Sequence, residues 1–157
     1  MTQAAPEVGP EGTIVLRPRL ARIAGFAIGG LVLAVSVGSA LLVGSFDLPN
    51  RIMFVAFGLA VFWFCWREAI VKVVAEPDRL VVRNLLSVRT LEWAEVIGVS
   101  FPAGDPWAHL DLADGDTLAT MAIQRSDGER ALADARLLAR LVRERGEAHP
   151  SQEPPAL

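Results

Sequence analysis

Residues able to carry catalysis are few in this sequence, and they are not spaced for it. The chain holds two histidines, His109 and His149, and a single cysteine, Cys65. A hydrolase needs a nucleophile beside a base and an orienting group, and no serine lies in a nucleophile-elbow pattern. The sequence therefore predicts no catalytic residue and no cofactor. His109 is interpreted as an outward-facing strand residue.

Metal binding is also not expected. Asp111, Asp114 and Asp116 resemble a calcium loop only in part, because the EF-hand spacing and its terminal glutamate are missing. No group of histidines and cysteines has the spacing of a zinc site. Asp114 followed by Gly115 indicates a hairpin turn instead.

The composition excludes several other classes. The formal net charge is −3, which opposes nucleic-acid binding because that requires a basic surface. A single cysteine excludes an internal disulfide. Hydrophobic residues make up 52% of the chain, and this excess indicates membrane-spanning segments if it is concentrated in a few places.

Two long apolar runs contain that excess. Residues 23–46 carry no charge and would extend about 36 Å as a helix, longer than the ~30 Å hydrocarbon core of a bilayer. A second transmembrane helix is predicted over 52–68, with Trp63 and Trp66 near its end as in an aromatic belt. Residues 47–51 form a short connector, so the two helices are expected to form a hairpin.

The distribution of basic residues predicts the orientation of this hairpin. Arginines and a lysine are frequent before the first span and after the second, whereas the connector offers only Arg51 beside Asp47. The bias places both termini in the cytoplasm and the connector outside, in a multi-pass protein of the cell membrane. Residues 1–22 are expected to be a basic, disordered segment.

Small residues recur along the first span. Gly25 and Gly29, then Ser36, Ala40 and Gly44, are spaced by four. Such spacing allows helices to approach closely. It predicts packing against the second span, with homodimerisation as the alternative.

The rest of the chain is predicted to be a small antiparallel β domain with one helix. Short β-branched runs separated by turn residues predict about six strands over 69–123. Ser126 and Glu129 have the spacing of a capping box, and an apolar stripe predicts an amphipathic helix over 127–145, ended by Gly146. Prolines indicate a disordered tail over 147–157.

This order of elements resembles a bacterial pleckstrin-homology (PH-like) domain. The resemblance is strongest at Leu91-Glu92-Trp93-Ala94-Glu95-Val96-Ile97-Gly98-Val99. The stretches 101–107 and 110–115 are similar to a membrane-anchored actinobacterial PH-domain family that includes low molecular weight protein antigen 6. The resemblance implies an α+β membrane protein, in which a two-helix transmembrane hairpin precedes a PH-like antiparallel β domain over 69–146 with one C-terminal amphipathic helix. It implies a membrane location and no reaction.

Basic residues in the first strands of this domain are candidate ligand contacts. Arg79, Arg83 and Arg89 would form a lipid-headgroup patch if they met on one rim, and a solvated strand face is the alternative. Trp107 follows a loop of glycine and proline and is interpreted either as a packing residue or as an exposed contact. Trp93 is expected to anchor the core.

The function predicted is a non-enzymatic interaction module at the inner face of the membrane, with the lipid bilayer around its two spans. Residues 69–124 hold four basic and eight acidic residues, a net charge of −4. This charge opposes attraction to an anionic leaflet and favours an adaptor for an unidentified basic protein partner. A lipid-headgroup sensor is the alternative, and a homo-oligomer is left open.

Overall fold

The computed structural model describes residues 7–8 and 12–148. Within these ranges the chain forms two compact units. One unit is the helical segment Arg19–Ile70. The other unit combines the described residues that precede Arg19 with those that follow Ile70.

The helical unit consists of α1 (Arg19–Leu42) and α2 (Leu48–Ala69). Both helices are long and apolar enough to cross a membrane, by length and composition. Large apolar side chains such as Leu31 and Leu42 are exposed along them, whereas a core helix of a water-soluble protein would bury such side chains.

The helix bounds differ from the predicted spans 23–46 and 52–68 because the turn lies earlier than expected. Helix α1 ends at Leu42. Asp47 is the N-cap of α2, where its Oδ1 accepts a hydrogen bond from the Asn50 amide at 3.1 Å. Its charge predicts Arg51 in the connector, whereas the residue lies inside α2, where its Nε donates to the Phe46 carbonyl at 3.1 Å.

Small residues lie between the two helices. The buried residues of α1 are Gly29, Ser36 and Ala40. A Cβ added at Gly58 of α2 would lie 2.7 Å from the Ser36 Cβ, and one added at Gly29 would lie 3.0 Å from the Cys65 Cβ. The small-residue stripe of α1 therefore packs against α2 within the hairpin, and a homo-oligomer needs a different surface.

The second unit contains two antiparallel sheets and one helix. The first sheet has the order β1 (Glu7–Val8), β2 (Ile14–Leu16), β3 (Lys72–Ala75), β4 (Arg79–Arg83), β5 (Val88–Glu92). The second has the order β6 (Val96–Ser100), β7 (Trp107–Leu112), β8 (Thr117–Gln124). A 3-10 turn over Trp93–Glu95 joins the sheets, and α3 (Glu129–Ala148) follows β8.

The prediction of a disordered segment over 1–22 is wrong for the strands Glu7–Val8 and Ile14–Leu16 and for residues 19–22, which begin α1. Strand β2 pairs with β3, with Val15 opposite Val74, and Leu16 is 1% exposed in the core. A three-residue strand is too short to show a hydrophobic period. One of its partners, β1, has only two residues, and the other, β3, lies beyond both helices. The predicted disorder of residues 1–6 and 9–11 lies outside the described residues.

Buried side chains from both sheets and from α3 form one core. Its largest members include Trp93, Leu80, Leu110 and Leu138. Trp93 therefore anchors the core, as predicted. The Nε1 of Trp93 donates to the Glu76 carbonyl at 3.1 Å, so its one polar atom is satisfied.

The start and end of α3 differ from the prediction of 127–145. Ser126 does not cap the helix, because it lies in a 3-10 turn that ends at Gly128, whose φ of 59° favours glycine. Helix α3 continues past Gly146, which was expected to end it. The predicted tail from residue 149 onwards lies outside the described residues.

Asp134 gives α3 a pH-dependent contribution to stability. Burial raises the pKa of its carboxyl above the usual value, and the guanidinium of Arg130, 3.7 Å away, offsets this only in part. A raised pKa means that the folded chain binds this proton more tightly than the unfolded chain. The contribution is therefore present at acidic pH and is lost as the pH rises through the folded pKa.

Asp134→Asn is expected to raise the thermal stability of the protein at pH 7 and to flatten its decline between acidic and neutral pH. Thermal unfolding of the detergent-solubilised chain across this range measures both effects. Glu144→Gln changes an exposed acid on the same helix and serves as the control. A lower stability of Asp134→Asn than of the natural chain at pH 7 would contradict the prediction, because it would make the Arg130 ion pair dominant.

Candidate functional site

The three arginines predicted as a ligand patch do not form one pocket. Arg79 lies at the start of β4 and forms an ion pair with Glu76, which raises the pKa of its guanidinium. Arg83 lies at the other end of the same strand. Arg89 is opposite Val82, so the register places it on the face that carries the buried Leu91, whereas Arg79 and Arg83 lie on the other face.

Trp107 is half-buried at the start of β7. Burial alternates along this strand. Ala108, Leu110 and Leu112 are buried, and the residues between them are partly exposed. Trp107 lies on the outward side of this alternation. It contributes partial packing and is not a core anchor.

His109 lies on the same outward side of β7, as predicted. Its Nε2 is 3.2 Å from Oδ2 of Asp105. This pair links the strand to the loop that precedes it. No serine, threonine or cysteine is paired with the imidazole among the hydrogen bonds described for residues 12–148.

A groove of about 480 Å³ runs between β6 and α3. Its apolar surface comes from Ile97, Val99, Ala139 and Val142, and charged side chains also line it, from Arg143 and Glu147. Ile97 is 69% exposed although it lies in the middle of a strand. We call this feature the β6–α3 groove.

The β6–α3 groove is lined by an edge strand. Strand β6 pairs with β7 on one side and with no other described strand. Residues 96–99 all line the groove, and an irregular register between Val96 and Gly98 interrupts the alternation of side chains there. The groove therefore borders a strand that has an unpaired edge.

Three arginines extend this surface along α3. Arg136, Arg140 and Arg143 are exposed and spaced by four and three residues, which places them on one side of the helix. They surround a second depression of about 520 Å³, floored by Ala133 and Ala139. Because Ala139 and Arg143 line both depressions, the groove has one basic flank.

Arg145 links α3 to backbone carbonyls at Ala75, Glu76 and Gly12. Its Nη1 donates to the Glu76 carbonyl at 2.6 Å and its Nη2 to the Gly12 carbonyl at 3.2 Å. The same guanidinium lies 5.2 Å from the ring centre of Trp93. The sequence carries no signal for this role, because the acceptors are backbone carbonyls far away in the chain.

The groove was not predicted from the sequence. The arginines of α3 were visible as a charged helix face, which is normally a solvated surface. An exposed Ile97 inside a strand is the one local signal, and a single exposed apolar residue carries little information by itself.

Comparison with known proteins gives a family match over most of the sheet-and-helix unit. Residues 71–141 match the model of a family described as "Bacterial PH domain". The chain is also similar to "Uncharacterized protein Rv1417" of Mycobacterium tuberculosis strain H37Rv and "Uncharacterized protein Mb1452" of Mycobacterium bovis. Each is 38% identical over 126 residues, which cover 76% of this chain and 82% of the relative.

Proposed function

Because this chain belongs to the bacterial PH domain family, we propose that it is a membrane-anchored interaction module that binds an extended segment of a partner protein along β6. The observation that carries this proposal is the β6–α3 groove beside an unpaired strand edge. A segment added there as a further strand gains main-chain hydrogen bonds from the edge and side-chain contacts from the groove.

The apolar anchor of this interaction is Ile97. Covering a largely exposed isoleucine side chain contributes about 1.5–3 kcal/mol. The partner segment therefore carries at least one apolar side chain facing Ile97. Its other side chains alternate between the groove and solvent, as in any strand.

The charge of the groove supports an acidic partner rather than a basic one. The sequence-based expectation of a basic partner used the net charge of residues 69–124, and this range does not include α3. The exposed stripe of Arg136, Arg140 and Arg143 gives the helix side of the groove a positive flank. Aspartate or glutamate residues in the partner segment complement that flank.

A binding role without turnover agrees with the residues of the groove. Its lining contains tryptophan, alanine, valine, isoleucine, glycine, arginine and glutamate. Glu147 is the only carboxylate in this lining, and the lining holds no hydroxyl, thiol or imidazole for it to activate. We therefore propose a non-enzymatic adaptor. A headgroup-sensing pocket is less well supported, because Arg79, Arg83 and Arg89 lie on different faces and at different ends of their hairpin.

We also propose that α1 and α2 anchor the module in the cell membrane with both termini in the cytoplasm. The pairing of β2 with β3 supports a common side for the two ends of the hairpin, because these strands flank it in the chain. The basic residues that precede α1 and follow α2 support the cytoplasmic side.

A peptide selection on the full chain tests the adaptor proposal. The chain is placed in nanodiscs of neutral phosphatidylcholine and exposed to a display library of random peptides, and recovered peptides are measured by fluorescence anisotropy. We expect peptides with alternating apolar residues and several acidic ones. Ile97→Asp is expected to lower the affinity of these peptides about 10–100-fold, which is the equivalent of the lost apolar contact.

Two controls make this selection decisive. Leu86→Asp changes an exposed apolar residue of the other sheet region and is expected to leave peptide affinity unchanged. Arg140→Ala is expected to lower the affinity only of peptides that contain acidic residues. This loss of affinity is expected to be smaller at high salt. Recovery of no peptide above empty nanodiscs, or equal binding to Ile97→Asp, would overturn the proposal.

A further inference from the structure

The turn between β4 and β5 exposes apolar side chains at a fixed position. We call residues 84–88 the β4–β5 tip. Leu86 is 84% exposed and Val88 is 55% exposed. The turn is closed by a hydrogen bond from the Asn84 amide to the Ser87 carbonyl at 2.9 Å.

The base of this tip is fastened to the second sheet. Asn84 Nδ2 donates to the Ala119 carbonyl at 2.7 Å, and Asn84 Oδ1 accepts from the Met121 amide at 3.0 Å. Both bonds join β8 to the start of the turn. Leu86 is therefore held in solvent by an ordered turn with two polar attachments.

Charge is separated along the first sheet. Lys72, Arg83 and Arg89 lie at the end with the tip, and no acidic residue occurs between Arg79 and Leu91. The opposite end carries Glu76, Asp78 and Glu92, and there Arg79 is paired with Glu76. One end of the sheet is basic and apolar, and the other is acidic.

The basic end is also where the chain passes to the two helices. Register places Leu16 opposite Val73, and Lys72 opposite Arg83, next to the tip. Helix α1 begins three residues after Leu16, and Lys72 follows α2 by three residues. Three residues of extended chain span at most about 10 Å, so both connections leave the sheet at this end and are short.

We propose that the β4–β5 tip is a second membrane contact, in which Leu86 and Val88 enter the headgroup layer while Lys72, Arg83 and Arg89 contact anionic lipid phosphates. Apolar tips flanked by basic residues have the composition that favours the membrane interface. Arg83 and Arg89 lie on opposite faces of the hairpin, so they cannot enclose one headgroup in a pocket. They can each contact a different headgroup if the hairpin is surrounded by lipids. This inference rests on the membrane anchoring in the proposed function and is independent of the groove.

Fluorescence quenching in the full chain tests this contact. Ser87→Cys in a Cys65→Ser background is labelled with an environment-sensitive fluorophore, and the chain is placed in nanodiscs that contain phosphatidylglycerol and brominated phosphatidylcholine. We expect blue-shifted emission and strong quenching by bromine. The matched label at Asp78→Cys, on an exposed turn at the acidic end, is expected to be unquenched.

Substitutions then separate the apolar and charged contributions. Leu86→Asp is expected to abolish the quenching at position 87. Arg83→Gln with Arg89→Gln is expected to weaken the contact about 25-fold, at about fivefold per basic residue near an anionic surface. Ile97→Asp is expected to leave the quenching unchanged. Equal quenching at positions 78 and 87, or none at 87, would overturn the proposal.

The native tryptophans distinguish the absence of the tip contact from the absence of membrane insertion of the helices. Trp63 and Trp66 are exposed on α2, so brominated lipid quenches their intrinsic fluorescence if α2 is inserted. Quenched tryptophans with an unquenched label at position 87 would reject the tip contact alone. Unquenched tryptophans would reject both the membrane anchor and the tip contact.

Discussion

Replacing Trp93 by alanine is expected to destabilise the sheet-and-helix unit by about 3–5 kcal/mol. Trp93 is 1% exposed, is the largest fully buried side chain among the described residues, and belongs to the core that both sheets and α3 form. Its removal leaves a cavity that the ordered strands around it fill only in part. The Arg145 guanidinium also loses the ring beneath it. A loss of this size is a large share of the 5–15 kcal/mol that stabilises a typical domain.

Hydrogen exchange of the full chain in detergent measures this effect locally. Peptides covering β3–β8 are expected to lose protection in Trp93→Ala, while peptides of α1 and α2 keep theirs. Trp93→Phe retains most of the ring volume and loses the hydrogen bond to the Glu76 carbonyl, so its cost is expected to be lower than that of alanine. Trp107→Ala removes a half-buried tryptophan from the outward side of β7 and is the matched control. Equal effects of Trp93→Ala and Trp107→Ala would contradict the assignment of Trp93 as the core anchor.

Replacing Gly58 by leucine is expected to destabilise the helical hairpin by about 1–3 kcal/mol, the usual cost of overpacking. A Cβ at this position would lie 2.7 Å from the Ser36 Cβ and 3.3 Å from the Leu33 Cα, and the latter is backbone that cannot rotate away. The two helices then have to separate or shift along each other. Leucine has a higher helix propensity than glycine, so the substitution by itself favours the helix. A loss of hairpin stability would therefore come from the contact between the helices.

The single cysteine of the chain provides the measurement. Cys65 packs against Gly29 between the helices, so its reaction with a thiol-specific fluorogenic reagent in detergent reports opening of the hairpin. The reaction of Gly58→Leu is expected to be roughly 5–100-fold faster. Gly30→Leu is the control, because a Cβ added at Gly30 of α1 meets open space. Similar rates in the two variants would show that the helices do not approach each other at Gly58.

The helical hairpin and the order of strands were predictable because their signals are local. An uncharged run of more than 20 residues indicates a span by length alone, and turn residues such as Asp114 and Gly115 mark a strand end wherever they occur. The helix bounds were less accurate because charge was used to place them. Asp47 and Pro49 determine the start of α2 through capping and backbone geometry, and Arg51 remains inside the helix.

The parts that were not predicted depend on residues far apart in the chain. Strand β2 has three residues, and its partners are the two-residue strand β1 and the strand β3, which follows both helices. The β6–α3 groove and the acceptors of Arg145 arise from the docking of α3, which no local pattern encodes. The dispersal of Arg83 and Arg89 follows from strand register, since a shift of one residue moves a side chain to the other face.

The insertion of α1 and α2 between β2 and β3 imposes an order on biosynthesis. The ribosome makes Ile14–Leu16 first, and the strand that pairs with it is complete only after both helices have been translated. At 5–20 residues per second this delay is roughly 3–12 s. Until then, the only described strand available to pair with β2 is the two-residue strand β1.

A chain in which only one helix crossed the bilayer would leave β2 and β3 on opposite sides of it, and these strands would never pair. The buried Leu16 would then be missing from the core, and β3 would present an unpaired edge of the kind that favours aggregation. In the proposed topology, completion of the sheet is thus coupled to correct insertion of the hairpin.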